Sequence, residues 1–134
     1  MQAAPADSYL PPLVAVRQTN NKGRAVFALK NIPEHTVILQ SHAVLLPKED
    51  CRKLGETGLW PYRFALGEEC AFVFGDMSFC NHSDTPNAYV SWTRLSPASA
   101  IASLIALSSI GANAEVEISY ADVGEYQRRG VALS

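Results

Sequence analysis

The most informative stretch of this chain runs from Gly75 to Asn87 and reads GDMSFCNHSDTPN. An apolar run, Met77 to Cys80, is followed at once by polar and turn-forming residues. A polar segment directly behind an apolar run is often buried and hydrogen-bonded. Residues 81–87 are therefore either a turn that satisfies its own backbone or part of a functional site. A nucleophilic pair of Cys80 and His82 is disfavoured, because no third group that would orient the histidine is apparent.

Short strand-like runs separated by turns surround this stretch. The segment 36–39 is rich in β-branched residues, and 116–120 alternates between polar and apolar residues as a strand does. Such runs, with turns about every eight to twelve residues, are typical of a mostly-β domain. A short helix is expected after Pro47 and another within 123–129. The predicted strands are 13–16, 25–29, 36–39, 43–46, 61–66, 71–74, 88–92, 101–107 and 116–120.

The composition is that of one globular domain. The chain has 134 residues, 48% of them hydrophobic and 18% charged, which is long enough for a core and too short for a second sizeable domain. The net charge is −2, so no basic field favours direct nucleic-acid binding. A basic partner fits this charge better than an acidic one.

Nothing in the sequence predicts secretion or membrane insertion. The first residues, Met1 to Asp7, have neither a basic region nor an apolar run. The most apolar segment, 98–110, contains four serines and is too short to span a bilayer. We therefore expect a cytoplasmic protein, with the nucleus or nucleoid of a host as a further location.

The three cysteines, Cys51, Cys70 and Cys80, are widely spaced and form no C-x-x-C pair. A zinc site and a disulfide framework are both disfavoured. Buried or half-buried free thiols are expected, which suits a reducing compartment.

Three separated segments resemble, in order and spacing, the motifs of SET-domain lysine methyltransferases. Residues 22–32, KGRAVFALKNI, are similar to the opening G-x-G-V-F-A motif, with Ala25 in place of the second glycine. Residues 81–87 resemble the N-H-S-x-x-P-N motif. Residues 110–122 resemble the final motif, a Gly-Glu-Glu turn and a strand that ends in tyrosine; Asn113 stands at the glycine and can adopt its left-handed conformation. Tyr62-Arg63-Phe64 falls where small SET proteins carry Tyr-x-Phe.

The resemblance covers roughly residues 12–122 and is closest in style to the minimal SET proteins of bacteria and large DNA viruses. It implies a mostly-β SET fold of several small sheets, few short helices and a pseudoknotted C-terminal segment. Residues 1–11 are expected to be a loose N-terminal segment. A short tail over 123–134 is the candidate for closing the substrate channel.

The function implied by the resemblance is methyl transfer from S-adenosylmethionine to the ε-amine of lysine in a protein, with S-adenosylhomocysteine as the second product. The expected substrate is a histone tail or another basic protein. No metal, nucleic acid or membrane is expected to take part, and a homodimer is predicted. Two alternatives stay open: an inactive SET-like binding or regulatory module, and a methyltransferase that acts on a small-molecule amine or a non-lysine target.

The resemblance also implies roles for individual residues. Tyr120 is the expected catalytic tyrosine, and Tyr62 lines the pocket for the cofactor and the lysine. Ile118 lies two positions before Tyr120 and faces the lysine amine, where an aliphatic residue allows a second and a third methyl group. The expected cofactor contacts are Lys22, Gly23, Arg24, Tyr62, Asn81, His82 and Tyr120. The expected channel residues are Ile118, Tyr89, whose hydroxyl is an alternative water site, and Tyr126, the aromatic left to cap the channel.

Overall fold

The computed structural model describes residues 11–129. In order along the chain, the strands are β1 Val14–Gln18, β2 Arg24–Ala28, β3 Val37–Leu46, β4 Phe64–Leu66, β5 Glu69–Val73, β6 Asn81–His82, β7 Ala88–Ser96, β8 Ser99–Ala106 and β9 Glu117–Ile118, and the α-helices are α1 Lys48–Leu54 and α2 Val123–Arg128. Two short 3₁₀-helices span Trp60–Tyr62 and Asp76–Phe79. The predicted strand 61–66 is therefore wrong at its start, because Pro61 lies in the first turn of a 3₁₀-helix and the strand begins at Phe64. The predicted mostly-β class is confirmed. Within residues 11–129, no helix is long and apolar enough to cross a membrane.

The largest sheet has five antiparallel strands in the order β4-β5-β3-β8-β7. Its central strand β3 joins the predicted strands 36–39 and 43–46 into one strand of ten residues. Strands β4 and β5 form a hairpin, with Gly67 in its turn at a positive φ of 64°. Val26 on β2 and Leu104 on β8 are both fully buried in one core, which joins the β1–β2 hairpin to this sheet. Each fully buried side chain of this size contributes about 1.5–3 kcal/mol to the free energy of folding.

The polar segment 81–87 is tied to the C-terminal segment 115–120. Strands β6 and β9 pair in parallel, Asn81 with Glu117 and His82 with Ile118. The Asn87 amide donates to the carbonyl of Glu115 at 2.9 Å and accepts the backbone N–H of Glu117 at 2.9 Å. The two asparagines of the segment therefore bond to a distant part of the chain, whereas His82 with Asp84 and Ser83 with Thr85 also bond within the segment. The pseudoknotted C-terminal segment stays a prediction.

The backbone accommodates both departures from the family motifs. Gly23 has a φ of 70°, and Asn113 takes the same φ in the turn before the final motif, as predicted. Ala25 lies in β2, fully buried, and the described non-glycine residues with positive φ are His35 and Asn113. Alanine at position 25 is therefore compatible with the loop.

The expectation of three free thiols is wrong for two of them. Cys51 on α1 and Cys70 on β5 form a disulfide with their Cα atoms 6.0 Å apart, whereas Cys80 is free and buried. Helix α1 lies against β5 and brings the two residues within the Cα separation that a disulfide needs. Spacing along the chain gave no sign of this contact. An argument for a reducing compartment therefore cannot rest on Cys51 and Cys70.

Candidate active site

Two cavities lie on either side of a cluster of three tyrosines. The sheet cavity, of about 230 Å³, is walled by Phe64, Trp92 and Ile118 among others. The loop cavity, of about 250 Å³, is walled by residues 22–24 and by Phe79 and Asn81. Both cavities are also lined by the same six residues: Pro61, Tyr62, Ser78, Cys80, Tyr120 and Tyr126.

The side chain of Tyr120 is fixed at the junction of the two cavities. Its hydroxyl donates to the carbonyl oxygen of Cys80 at 2.6 Å. The proton of the hydroxyl is thereby engaged, so the lone pairs of the oxygen remain available to a group at the junction. Burial raises the pKa of Tyr120 well above its ordinary value, and the hydroxyl stays neutral at physiological pH.

The ring of His82 supports the backbone of Tyr120. Its Nδ1 accepts the backbone N–H of Tyr120 at 2.9 Å, which leaves the proton on Nε2, and Nε2–H donates to Asp84 at 2.8 Å. His82 is buried and lines neither cavity through its side chain. The expected contact of His82 with the cofactor stays a prediction.

The loop cavity combines a flexible backbone, two cations and an amide. The positive φ of Gly23 turns the chain at the mouth of the cavity, and Arg24 lies over the ring of Phe79 with 4.5 Å to the centroid. The Nζ of Lys22 donates to Glu115 at 3.1 Å and lies 3.7 Å from Glu117.

Glu115 is a residue of this site that the sequence interpretation missed. Its second oxygen accepts Nδ2 of Asn81 at 2.9 Å, so one carboxylate holds both Lys22 and Asn81. In the sequence, residues 115 and 117 belong to a group of acids of the kind that usually forms a solvated face or an acidic rim. The available signal was the position of Glu115 in the final motif. Only the fold brings this carboxylate next to Asn81, which belongs to the second motif.

The sheet cavity has aromatic and apolar walls. Phe64 and Trp92 contact each other edge to face with ring centroids 5.4 Å apart. Ile118, 4% exposed, and the half-exposed Tyr89 also line this cavity, and their role as channel residues stays a prediction. The Tyr-x-Phe pattern in the sequence already pointed to Phe64 as a site residue. For Trp92 the sequence predicted only a position in a strand.

Helix α2 closes the tyrosine cluster from the C-terminal side. The Tyr126 ring lies 4.9 Å from that of Tyr120 and 4.6 Å from that of Trp60, and its hydroxyl donates to the Pro61 carbonyl at 2.8 Å. Arg63 packs on Trp60 and pairs with Asp122, which precedes α2. The predicted helix within 123–129 is confirmed, and residues 130–134 of the predicted tail, like residues 1–10 of the predicted N-terminal segment, lie outside the described residues.

Cys80 contributes its carbonyl rather than its thiol. Burial raises the pKa of this thiol to about 12, so the thiolate needed for a nucleophile is not formed near neutral pH. With the His82 ring engaged by Tyr120 and Asp84, the Cys80–His82 pair has no catalytic geometry.

The sequence model of the SET domain family matches residues 23–121 of this chain. The chain belongs to the SET-domain family. It is 36% identical over 109 residues to a histone-lysine N-methyltransferase of Schizosaccharomyces pombe described as specific for lysine 37 of histone H3, a match that covers 80% of this chain and 72% of that protein. A crystal structure of a Plasmodium falciparum protein, described as a histone methyltransferase, is similar with a TM-score of 0.66 and 25% identity over 83% of this chain and 95% of that chain.

The three SET motifs meet at one place in the structure. The first motif supplies the loop cavity, the second supplies Asn81 and the carbonyl of Cys80 just before it, and the third supplies Ile118 and Tyr120. Of the predicted site residues, all except His82 line one or both cavities. Among the described residues, no group of three or more His, Cys, Asp or Glu side chains is arranged to hold a metal ion.

Proposed function

We propose that this SET-domain chain transfers methyl groups from S-adenosylmethionine to lysine in a basic protein. The observation that supports the proposal best is the pair of cavities that have Tyr120 in their shared lining. One cavity is polar and charged, as a cofactor with an amino-acid end requires. The other is walled by aromatic rings and suits a narrow alkyl amine.

The residues of the loop cavity fit S-adenosylmethionine. When bound, the cofactor supplies a methyl group on a positively charged sulfur. Lys22 would face the carboxylate of its amino-acid end and Asn81 the ammonium, since the two side chains lie side by side on Glu115. The turn at Gly23 lets the backbone approach the cofactor closely.

The sheet cavity prepares the lysine. An ammonium has no lone pair, and aromatic walls disfavour its charged form, which promotes loss of the proton. Tyr62 and Tyr120 would hold the neutral amine in line with the methyl group, and the oxygen of Tyr120 and the carbonyl of Cys80 would polarise around that methyl through weak C–H···O contacts.

The substrate is proposed to be a histone tail or another basic protein. The relative from S. pombe is described as acting on histone H3, and the net charge of −2 suits a basic partner. The decisive experiment incubates the chain with radiolabelled S-adenosylmethionine and a histone H3 peptide that contains lysine 37, followed by mass spectrometry. Labelled peptide supports the proposal. Cofactor binding without transfer to any histone or basic protein extract supports the inactive binding module instead.

We also propose a homodimer and an intracellular location. Several apolar side chains are exposed on the described surface, Phe74 and Leu95 the most, at 63% and 58%. Light scattering at high micromolar concentration tests the dimer, and a monomer at that concentration contradicts it.

Replacing Asn81 by alanine is expected to weaken S-adenosylmethionine binding by about 10- to 150-fold. The amide would lose a hydrogen bond to a charged group, which costs about 1.5–3 kcal/mol. Isothermal titration measures the effect. Gln40→Ala, which removes an exposed side-chain amide outside both cavities, is the control, and an unchanged dissociation constant for Asn81→Ala removes Asn81 from the site.

The activity is expected to rise with pH up to about pH 9–10, as more of the substrate lysine, whose pKa is about 10.4, is neutral. Burial raises the pKa of Tyr120, and burial also raises the pKa of Tyr126 to about 12 against the opposing charge of Arg63. A raised phenol pKa keeps the neutral form to higher pH, so neither tyrosine adds a falling limb in this range. The measurement is kcat/KM as a function of pH. If kcat/KM already falls at a pH below 9 and this fall is absent in Tyr126→Phe, then Tyr126 ionises in this range and the raised pKa is contradicted.

Ile118→Tyr is expected to restrict the product to monomethyl-lysine without abolishing the first transfer. Ile118 is buried in the wall of the sheet cavity, where an apolar side chain offers a water molecule too few partners. A tyrosine there fills the pocket and supplies a hydroxyl for that water. Intact-mass analysis of one peptide over time follows the product, and wild-type product that stops at one methyl group contradicts the role of Ile118. Tyr89→Phe then tests whether the Tyr89 hydroxyl holds the water instead.

A further inference from the structure

We propose that Glu115 is a positioning residue for the cofactor, because it sets the orientation of Asn81 and Lys22. In this orientation the Asn81 carbonyl accepts a hydrogen bond from the ammonium of the cofactor's amino-acid end, and Lys22 donates one to its carboxylate. This inference rests on the proposed function. Glu115 does not line the loop cavity, whereas both residues that it holds do. Its action on the cofactor is therefore indirect.

The geometry divides the two oxygens of Glu115 between two partners. One oxygen accepts Nζ of Lys22 at 3.1 Å, and the other accepts Nδ2 of Asn81 at 2.9 Å. The carboxylate is largely buried, with 15% of the side chain exposed. In such surroundings a charge-assisted hydrogen bond is stronger and more directional than one at the surface.

An ionised carboxylate can only accept hydrogen bonds. The Asn81 amide must therefore turn its NH₂ group toward Glu115, and its carbonyl oxygen Oδ1 lies at the opposite end of the amide. Within residues 11–129, no donor is bonded to that Oδ1. An acceptor of this kind suits an ammonium and not a carboxylate, so Glu115 determines which charged group of the cofactor Asn81 binds.

Glu115 also leaves Lys22 with an N–H group that can donate a further hydrogen bond. An ammonium has three protons; one goes to Glu115, and Glu117 lies 3.7 Å away on the same side. The hydrogen bond to Glu115 raises the pKa of Lys22, so the lysine stays charged beside the cavity. A proton remains for a carboxylate in the cavity that Lys22 lines.

The backbone of Glu115 gives this carboxylate a rigid base. Its carbonyl accepts the Asn87 side chain at 2.9 Å, and the residue forms an antiparallel bridge with Phe27 on β2. Asn87 belongs to the second motif and Phe27 to the first. The backbone of Glu115, which lies in the third motif, is therefore held by residues of the first and second motifs.

The test is isothermal titration of Glu115→Gln with two ligands. S-adenosylhomocysteine carries the amino-acid end, whereas 5′-methylthioadenosine has the adenosine and the thioether without it. Glutamine is uncharged and can donate, so the Asn81 amide is free to turn over. We expect the affinity for S-adenosylhomocysteine to fall about tenfold or more, and the affinity for methylthioadenosine to stay within about twofold of the wild type.

Glu117→Gln is the matched control, because it removes one negative charge from the same cluster but touches Lys22 only. A fall in S-adenosylhomocysteine affinity that is clearly larger for Glu115→Gln than for Glu117→Gln supports the orientation of Asn81. Equal losses for both variants, or equal losses for both ligands in Glu115→Gln, overturn the inference and leave the proposed function intact. A wild-type chain that binds no S-adenosylhomocysteine overturns the proposed function itself, and the inference with it.

Discussion

Tyr120→Phe is expected to lower kcat by about 10²–10³-fold, the range seen when one preorganised polar group at a reacting centre is removed. The Tyr120 hydroxyl is held at the junction of the two cavities by its hydrogen bond to the Cys80 carbonyl. Its oxygen is expected to contact the methyl group chiefly as the methyl moves, so the loss falls on the transition state. Binding of S-adenosylhomocysteine should change by less than about threefold.

The control for this variant is Tyr126→Phe. It also removes a tyrosine hydroxyl that donates to a backbone carbonyl, that of Pro61, at a similar distance of 2.8 Å. Each variant leaves one carbonyl without its donor, which costs about 1–3 kcal/mol of stability in both cases. A stability effect alone would therefore lower both activities together. Single-turnover rates that are equal for Tyr120→Phe and the wild type would remove Tyr120 from the catalytic role.

Cys51→Ser is expected to lower the free energy of unfolding by about 3 kcal/mol, more than a hundredfold in the unfolding equilibrium. The disulfide to Cys70 closes a loop with a sequence separation of 19 residues, and the chain-entropy estimate for that length gives this value. Urea denaturation measures the change. The wild type with reductant should unfold like the variant without it, since both lack the same crosslink.

Cys70→Ser is the matched control for the crosslink. It should lose as much stability as Cys51→Ser, and reductant should change neither variant. Thiol titration in denaturant should detect one thiol per chain, that of Cys80, before reduction and three after it. Three free thiols in the unreduced protein would contradict the disulfide and return the cysteines to the original expectation.

The sequence was sufficient where local pattern and motif agree. The turn residue Asn113 adopted the left-handed conformation that its type allows, and the predicted helices after Pro47 and within 123–129 formed. The motif resemblance led to Tyr120, Ile118 and Asn81 because each stands at a fixed place in its motif.

The rest depends on contacts between distant parts of the chain. The pairing of Cys51 with Cys70 arises from the packing of α1 on β5, and no spacing rule for cysteines contains that packing. Glu115 looked like any surface acid until the fold placed it between Lys22 and Asn81. The predicted strand 116–120 is shorter in the structure and covers only Glu117–Ile118. The reason is that the backbone N–H of Tyr120 donates to the His82 ring and not to a neighbouring strand.

The parallel pairing of β6 with β9 also bears on how the active site comes into being. These two strands are two residues long and join at positions 81–82 and 117–118, so little local structure favours their contact before the intervening β7–β8 hairpin has formed. Contacts of such sequence separation form late, because the loop-closure entropy must be overcome first. Tyr120 follows β9, so its hydroxyl takes its place between the two cavities only once this pairing has formed. Cofactor binding that depends on these residues can then begin only after β6 and β9 have paired.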